Sequence, residues 1–213
     1  MSLSADELAL IARHTIANYD AQAEQFWLGT RDHDVSQNID ALLQHIQGPA
    51  PWRILDVGCG PGRDLLAFKQ MGHEAIGLEG TPRFADMARA HSGCEVWQQS
   101  FLALDLPPAA FDGVFANAAL FHVPSQALPR VLASLHDTLK PGGVLFSSNP
   151  LGEGQEGWSG GRYGVFHDLA SWRSYLQGAG FVELMHYYRP TGVPRAQQRW
   201  LASVWRRPDA PSA

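Results

Sequence analysis

The sequence predicts an α/β fold. Strand-sized apolar runs alternate with helix-like segments, glycine and proline punctuate the joins, and no internal repeat or low-complexity stretch breaks the alternation. With 213 residues, 45% hydrophobic and 17% charged, the chain has the composition of a globular protein with a sizeable core. One domain over residues 1–213 is expected. Apolar runs such as 144–146 fall far short of the ~20 residues that span a bilayer, so no transmembrane helix and no membrane partner are expected. Asp6 and Glu7 stand where a signal peptide carries basic residues, which makes the cytoplasm the expected address. Cys59 and Cys94 are too few for a disulfide framework and lack metal-ligand spacing.

Taken in order, residues 4–19 and 34–47 read as helices, the second opened by Asp34 with Gln37 three residues on, a capping-box variant. Gly48-Pro49-Ala50-Pro51 stops it, and residues 53–57 form a short apolar strand. A glycine-rich turn leads to a helix at 63–71, a strand at 74–78, a helix at 82–90 and a third strand at 95–98. Beyond Pro107-Pro108 come a strand at 112–116, a helix at 125–139 ended by Lys140-Pro141-Gly142-Gly143, and a fifth strand at 144–148. The glycine-rich stretch 150–164 reads as a mobile loop, too polar to be an element. Asp168 caps a helix running to about 177. The strands 182–188 and 200–205 then pair antiparallel, because their connection is too short for a crossover helix.

The most informative stretch is Asp56-Val57-Gly58-Cys59-Gly60-Pro61-Gly62, with glycine at every second position directly after a buried strand. Glycine is needed where a backbone turns sharply and lies against a ligand with no Cβ in the way. Arg63 stands where a G-x-G-x-x-G dinucleotide turn places its third glycine, and no lysine follows to complete a phosphate loop, so a nucleotide-cofactor oxidoreductase is disfavoured.

An acidic residue followed by G-x-G-x-G resembles the first motif of the class I S-adenosylmethionine-dependent methyltransferases, in their small bacterial type, and the similarity extends over most of the chain. The resemblance implies a Rossmann-like, doubly wound, mostly parallel seven-stranded sheet in the order 3-2-1-4-5-7-6, with strand 7 antiparallel. Residues 1–51 would be a helical cover, 52–206 the core and 207–213 a tail. It implies S-adenosylmethionine as cofactor and S-adenosylhomocysteine as product. Glu79, closing the second strand, falls at the position that binds the ribose hydroxyls, since a carboxylate accepts two O–H bonds at once. Gly80 follows it, Cys59 lies within the turn, and Tyr19 belongs to the covering segment. Ser100 stands where the family usually presents an acid to the adenine amino group, a departure that leaves the contact to its hydroxyl or to the Phe101 backbone. Asn117 and Ala118, at the end of the fourth strand, lie beside the methyl donor, and His122 is the candidate general base unless it is structural, hydrogen-bonded beneath its loop.

The stretch 157–164 lies where the family builds its substrate-side wall, so Arg162 is a candidate carboxylate clamp and Tyr163 a candidate substrate contact, with a solvated loop as the alternative. Tyr187, Tyr188, Arg189, Arg195 and Arg199 cluster on the terminal hairpin, as a ligand cover or as a packed edge. Tyr19, Phe26, Trp27 and Arg31 suit either a lid or core packing. No metal is expected, because Asp32, His33 and Asp34 on one short turn cannot converge. The net charge of −5 disfavours nucleic acid. Methyl transfer to a small organic acceptor, by a monomer or homodimer, is the leading reading. The alternative is a sensor or carrier that binds S-adenosylmethionine without transfer.

Overall fold

The computed structural model describes residues 2–209, so 210–213 of the expected tail lie outside the described residues. Three helices come first, α1 (Ala5–Ala21), α2 (Ala23–Thr30) and α3 (Ser36–Leu43). The core follows as β1 (Arg53–Val57), α4 (Arg63–Gln70), β2 (Glu74–Glu79), α5 (Pro82–Ser92), β3 (Glu95–Gln98), β4 (Phe111–Asn117), α6 (Leu128–Thr138) and β5 (Leu139–Pro150). Then come β6 (Gln155–Ser159), β7 (Arg162–Phe166), α7 (Leu169–Gly178), β8 (Val182–Arg189) and β9 (Trp200–Arg206).

Seven strands form one sheet in the order β3-β2-β1-β4-β5-β9-β8, parallel except that β9 runs against both β5 and β8. This is the expected order once the separate β6–β7 pair is set aside. The sheet is apolar on both faces, which is why its strands read as near-continuous hydrophobic runs. Leu55, Val114 and Leu145 pack with Leu132 of α6 and Trp172 of α7, while Ile54, Phe115 and Phe146 pack with Leu42 of α3 and Phe68 of α4. The Trp172 indole N–H is satisfied inside that core by the Ser147 and Ser203 hydroxyls, at 3.1 and 3.2 Å.

Side-chain caps explain where two helices begin. Ser4 and Glu7 form a reciprocal capping box on α1, and Asp168 accepts the Ser171 amide at 2.7 Å to cap α7. Three expectations are corrected. The helix expected over 34–47 is shorter: the Asp34 carboxylate takes the Ser36 amide at 2.9 Å, two residues on, and no box forms with Gln37. Its end tightens into three-residue turns, His45 N–H to Leu42 and Ile46 N–H to Leu43. Residues 20–30, given no element above, extend α1 and build α2. The stretch expected to be a mobile loop is a β-hairpin in which Trp158 pairs with Tyr163. Gly160 and Gly161 (φ 56° and 78°) supply the two left-handed positions that a tight two-residue hairpin turn needs. The high glycine content concealed a hairpin whose turn required two of those glycines.

Candidate active site

The turn after β1 lies at the carboxyl ends of the parallel strands, between β1 and β4, where the strand order reverses. Open α/β sheets bind ligands at that crevice. Its glycines serve different ends. A Cβ on Gly58 would meet the Ala119 Cβ at 2.6 Å, and one on Gly62 would meet the Ala88 backbone at 2.8 Å, so these two permit close packing. A Cβ on Gly60 would meet only the Phe26 ring edge, at 3.9 Å, and would project into the cleft.

That cleft is narrow and largely apolar. Gly58, Gly60, Glu79, Gly80, Ser100 and Phe101 line it, with Tyr19, Ala118 and His122 at one end. The Glu79 carboxylate is fixed at the end of β2 by the Gly60 amide (2.9 Å) and the Thr81 amide (2.7 Å), which leaves each oxygen a free lone pair. Burial raises its pKa, and those backbone N–H bonds pull the other way. Ser100 already accepts the Leu102 amide, at 3.3 Å. Asp56 and Gly62 line neither cleft nor cavity. Asp56 is sealed beneath the turn with one oxygen unpartnered, and burial, then the neighbouring Asp64, pushes its pKa well up.

A wider cavity of about 790 Å³ opens from the same junction. Cys59, Asn117, Arg162 and Tyr163 line it among the residues singled out from sequence. Phe121, Phe166 and Trp200 give it aromatic walls that the sequence did not single out, and Arg189 of the terminal hairpin reaches it as well. Asn117 belongs to a polar chain from the sheet edge to the covering helices. The Tyr187 hydroxyl donates to Asn38 (2.8 Å), Asn38 to Asn117 (2.9 Å), and Asn117 to Asp64 (3.1 Å). Arg63 grips Asp64 through two N–H bonds and the Thr30 carbonyl through a third. Arg63 and Asp64 immediately follow the glycine turn, which was the available signal for them.

His122 sits at the junction with both ring nitrogens engaged. Nδ1 lies 2.6 Å from the Tyr163 carbonyl and Nε2 lies 2.7 Å from the Tyr19 hydroxyl. A carbonyl only accepts, so the proton belongs on Nδ1, and Nε2 receives the Tyr19 O–H. Burial, reinforced by the nearby Arg162 charge and opposed by the Tyr163 carbonyl, lowers the His122 pKa to about 4. Arg162 donates to the Tyr19 oxygen at 3.1 Å. The Tyr163 hydroxyl donates to Glu156 at 2.9 Å and its amide to Thr15 at 3.1 Å, so this residue's polar groups hold the hairpin to α1 and to His122. Among the described residues no group of three metal-ligating side chains converges, and no helix is long and apolar enough to cross a membrane.

Residues 54–143 match the family described as Methyltransferase domain. The chain is 35% identical over 111 residues to trans-aconitate 2-methyltransferase of Methylobacterium radiotolerans, covering 51% of this chain and 42% of that protein. It is 38% identical over 103 residues to ubiquinone biosynthesis O-methyltransferase of Xanthomonas campestris pv. campestris, covering 45% and 42%. The matches to these curated relatives thus span well under half of their length. Burkholderia thailandensis 1,6-didemethyltoxoflavin-N1-methyltransferase, solved with 1,6-didemethyltoxoflavin and S-adenosylhomocysteine bound, superposes with a TM-score of 0.78 at 24% identity, covering 98% of this chain and 93% of that one.

Proposed function

We propose that this chain, which carries the domain and fold of the class I S-adenosylmethionine-dependent methyltransferases, transfers a methyl group from that cofactor to a small organic acceptor. One observation supports this above the others: a cleft floored by Gly60 and ended by Glu79 opens, at Tyr19, Ala118 and His122, into a separate acceptor-sized cavity. The residues fit the cofactor. Glu79 offers two free lone pairs to ribose hydroxyls, Phe101 and Gly80 border an apolar slot for the base, and Gly60, with no Cβ to project into the cleft, lets the backbone lie against the amino-acid end.

When bound, S-adenosylmethionine supplies a methyl carbon already activated by its sulfonium. The chain's own part is then positioning and exclusion of water. In this reading α1–α3 are a cover, with Tyr19 closing the junction, and residues 52–206 are the core of a single domain. Ser100 and Ala118 line the cofactor's cleft, Cys59 and Asn117 border it from the adjoining cavity, and Asp56 and Gly62 support the turn from beneath. The protein works in the cytoplasm on a small molecule, as a monomer or homodimer and without nucleic acid.

Calorimetry with S-adenosylhomocysteine tests the cofactor half. Glu79→Ala weakens binding by about 1.5–3 kcal/mol, the scale of hydrogen bonds to a charged group, and unchanged affinity would remove Glu79 from the site. Labelled cofactor incubated with fractionated metabolites tests the transfer half. Label appearing in a small-molecule fraction supports the enzyme, whereas binding without transfer to any fraction makes the chain a sensor or carrier.

A further inference from the structure

We propose that the acceptor is a small carboxylic acid, taken up as its carboxylate against Arg162, and that the product is a methyl ester. The inference rests on the methyl-transfer reading above and narrows it to one class of acceptor.

Six residues line both the cofactor cleft and the acceptor cavity: Tyr19, Phe26, Gly58, Gly60, Ala118 and His122. A methyl group crossing between the two must cross among them. Only Tyr19 and His122 of these titrate. His122 spends its Nδ1 proton on the Tyr163 carbonyl and its Nε2 lone pair on the Tyr19 hydroxyl, so neither nitrogen is left to take a proton from an acceptor. Burial works in the same direction, lowering the imidazole and raising the phenol, so that at neutral pH the pair is uncharged and a poor base.

The other acids nearby are committed too. Asp64 is held by Arg63 and Asn117, and Glu79, bonded to two backbone amides, lines the cofactor cleft and not the acceptor cavity. The Cys59 thiol is pushed well up by burial. His33 and Asp34 border only the wider cavity and are exposed. A neutral alcohol or phenol therefore finds no base at the junction, while a nucleophile that arrives ionised needs none.

Arg162 decides which ionised nucleophile is favoured. Among the described residues it has no carboxylate partner. Its one side-chain hydrogen bond goes to the Tyr19 oxygen, which places the guanidinium beside the junction. Of the other cavity arginines, Arg63 is paired with Asp64, and Arg189, also without a carboxylate partner, donates to the Asp34 carbonyl rather than to a residue of the junction. A guanidinium with no carboxylate partner repels an ammonium and offers a planar fork that matches a carboxylate. The aromatic walls Phe121, Phe166 and Trp200 receive the body of the acid.

The reaction balances without a base. A carboxylate oxygen forms its bond to the methyl carbon as the carbon–sulfur bond breaks, the electron pair goes to sulfur, and no proton has to leave. One negative and one positive charge become a neutral ester and a neutral thioether.

The test titrates S-adenosylhomocysteine-loaded protein calorimetrically with benzoate, cinnamate and trans-aconitate, and with the uncharged amide of each. The expected result is at least one carboxylate binding ten-fold or more tighter than its amide. Arg162→Ala abolishes that preference and Arg162→Lys restores part of it, with S-adenosylhomocysteine affinity within two-fold throughout. With methyl-labelled cofactor and the carboxylate that binds, mild alkali releases the transferred label as methanol. Equal binding of acid and amide in the wild type, or label that survives alkali, would overturn the inference and leave methyl transfer standing. Failure of S-adenosylhomocysteine to bind would instead overturn the reading beneath it.

Discussion

His122 shows how the surroundings of one side chain set its chemistry. Its sequence position, five residues after the fourth strand, suits a general base, yet both ring nitrogens are engaged and burial lowers its pKa from 6.5 to about 4. In the proposed site it holds Tyr19 in place, so that Arg162 and the Tyr19 oxygen face the acceptor together. The depressed pKa also makes a stability prediction. Between pH 6.5 and about 4 the unfolded chain binds the His122 proton and the folded one does not, so folding stability is full above 6.5 and is lost as pH falls toward 4. The loss is on the order of 3 kcal/mol at most. Urea unfolding at pH 7 and pH 4.5 checks it: His122→Gln, which keeps a donor and an acceptor, should lose less stability across that interval than the wild type. Equal losses would place the acid sensitivity elsewhere.

The β6–β7 hairpin is the element that completes the wider cavity, and glycine content hid it from a composition-based reading. The readable signal was narrower, two adjacent glycines between Trp158-Ser159 and Arg162-Tyr163. Both glycines adopt left-handed φ, and the strands beside them pair aromatic with aromatic, the rings 5.5 Å apart and edge to face. Nothing crowds a Cβ at Gly160, so its requirement is purely conformational. Gly160→Asn should therefore be nearly neutral, because asparagine tolerates the left-handed region. Gly160→Val should cost about 1–2 kcal/mol in denaturant unfolding. The valine variant should also loosen Arg162 and the Tyr163 carbonyl, which a weaker carboxylate preference would report. Equal stability of the two variants would remove the turn from this account.

Across the whole molecule, the covering helices are tied to the core at separate points around the junction. Arg63 reaches the Thr30 carbonyl, the Arg83 amide bonds Asp20, and the Tyr163 amide bonds Thr15. A ligand that fills the cleft touches the cover and the core at once, so it should stabilise both. S-adenosylhomocysteine at a hundred times its Kd should add about 2.7 kcal/mol to unfolding stability. It should slow hydrogen exchange in α1, α2 and the 58–62 turn more than in β8, whereas NAD should do neither. Protection spread evenly over the chain, or confined to the turn, would separate the cover from the binding event.

The sequence by itself determined the α/β alternation, the sheet order through its resemblance to a known family, and the glycine turn and strand-end glutamate that border the cleft. Those features are local: a G-x-G-x-G turn after a buried strand and a glutamate ending the next strand are contiguous patterns, and backbone sterics leave them few conformations. Tertiary structure alone decided the junction. Tyr19, His122 and Arg162 lie more than a hundred residues apart from one end of the set to the other, and they meet because the hairpin folds back onto α1. Likewise the chain from Tyr187 through Asn38 and Asn117 to Asp64 draws on four elements that no sequence window contains together. Whether the histidine is free to act as a base, and which arginine stands beside the junction without a carboxylate partner, depends on hydrogen bonds and burial made across the fold, and neither has a periodicity to read.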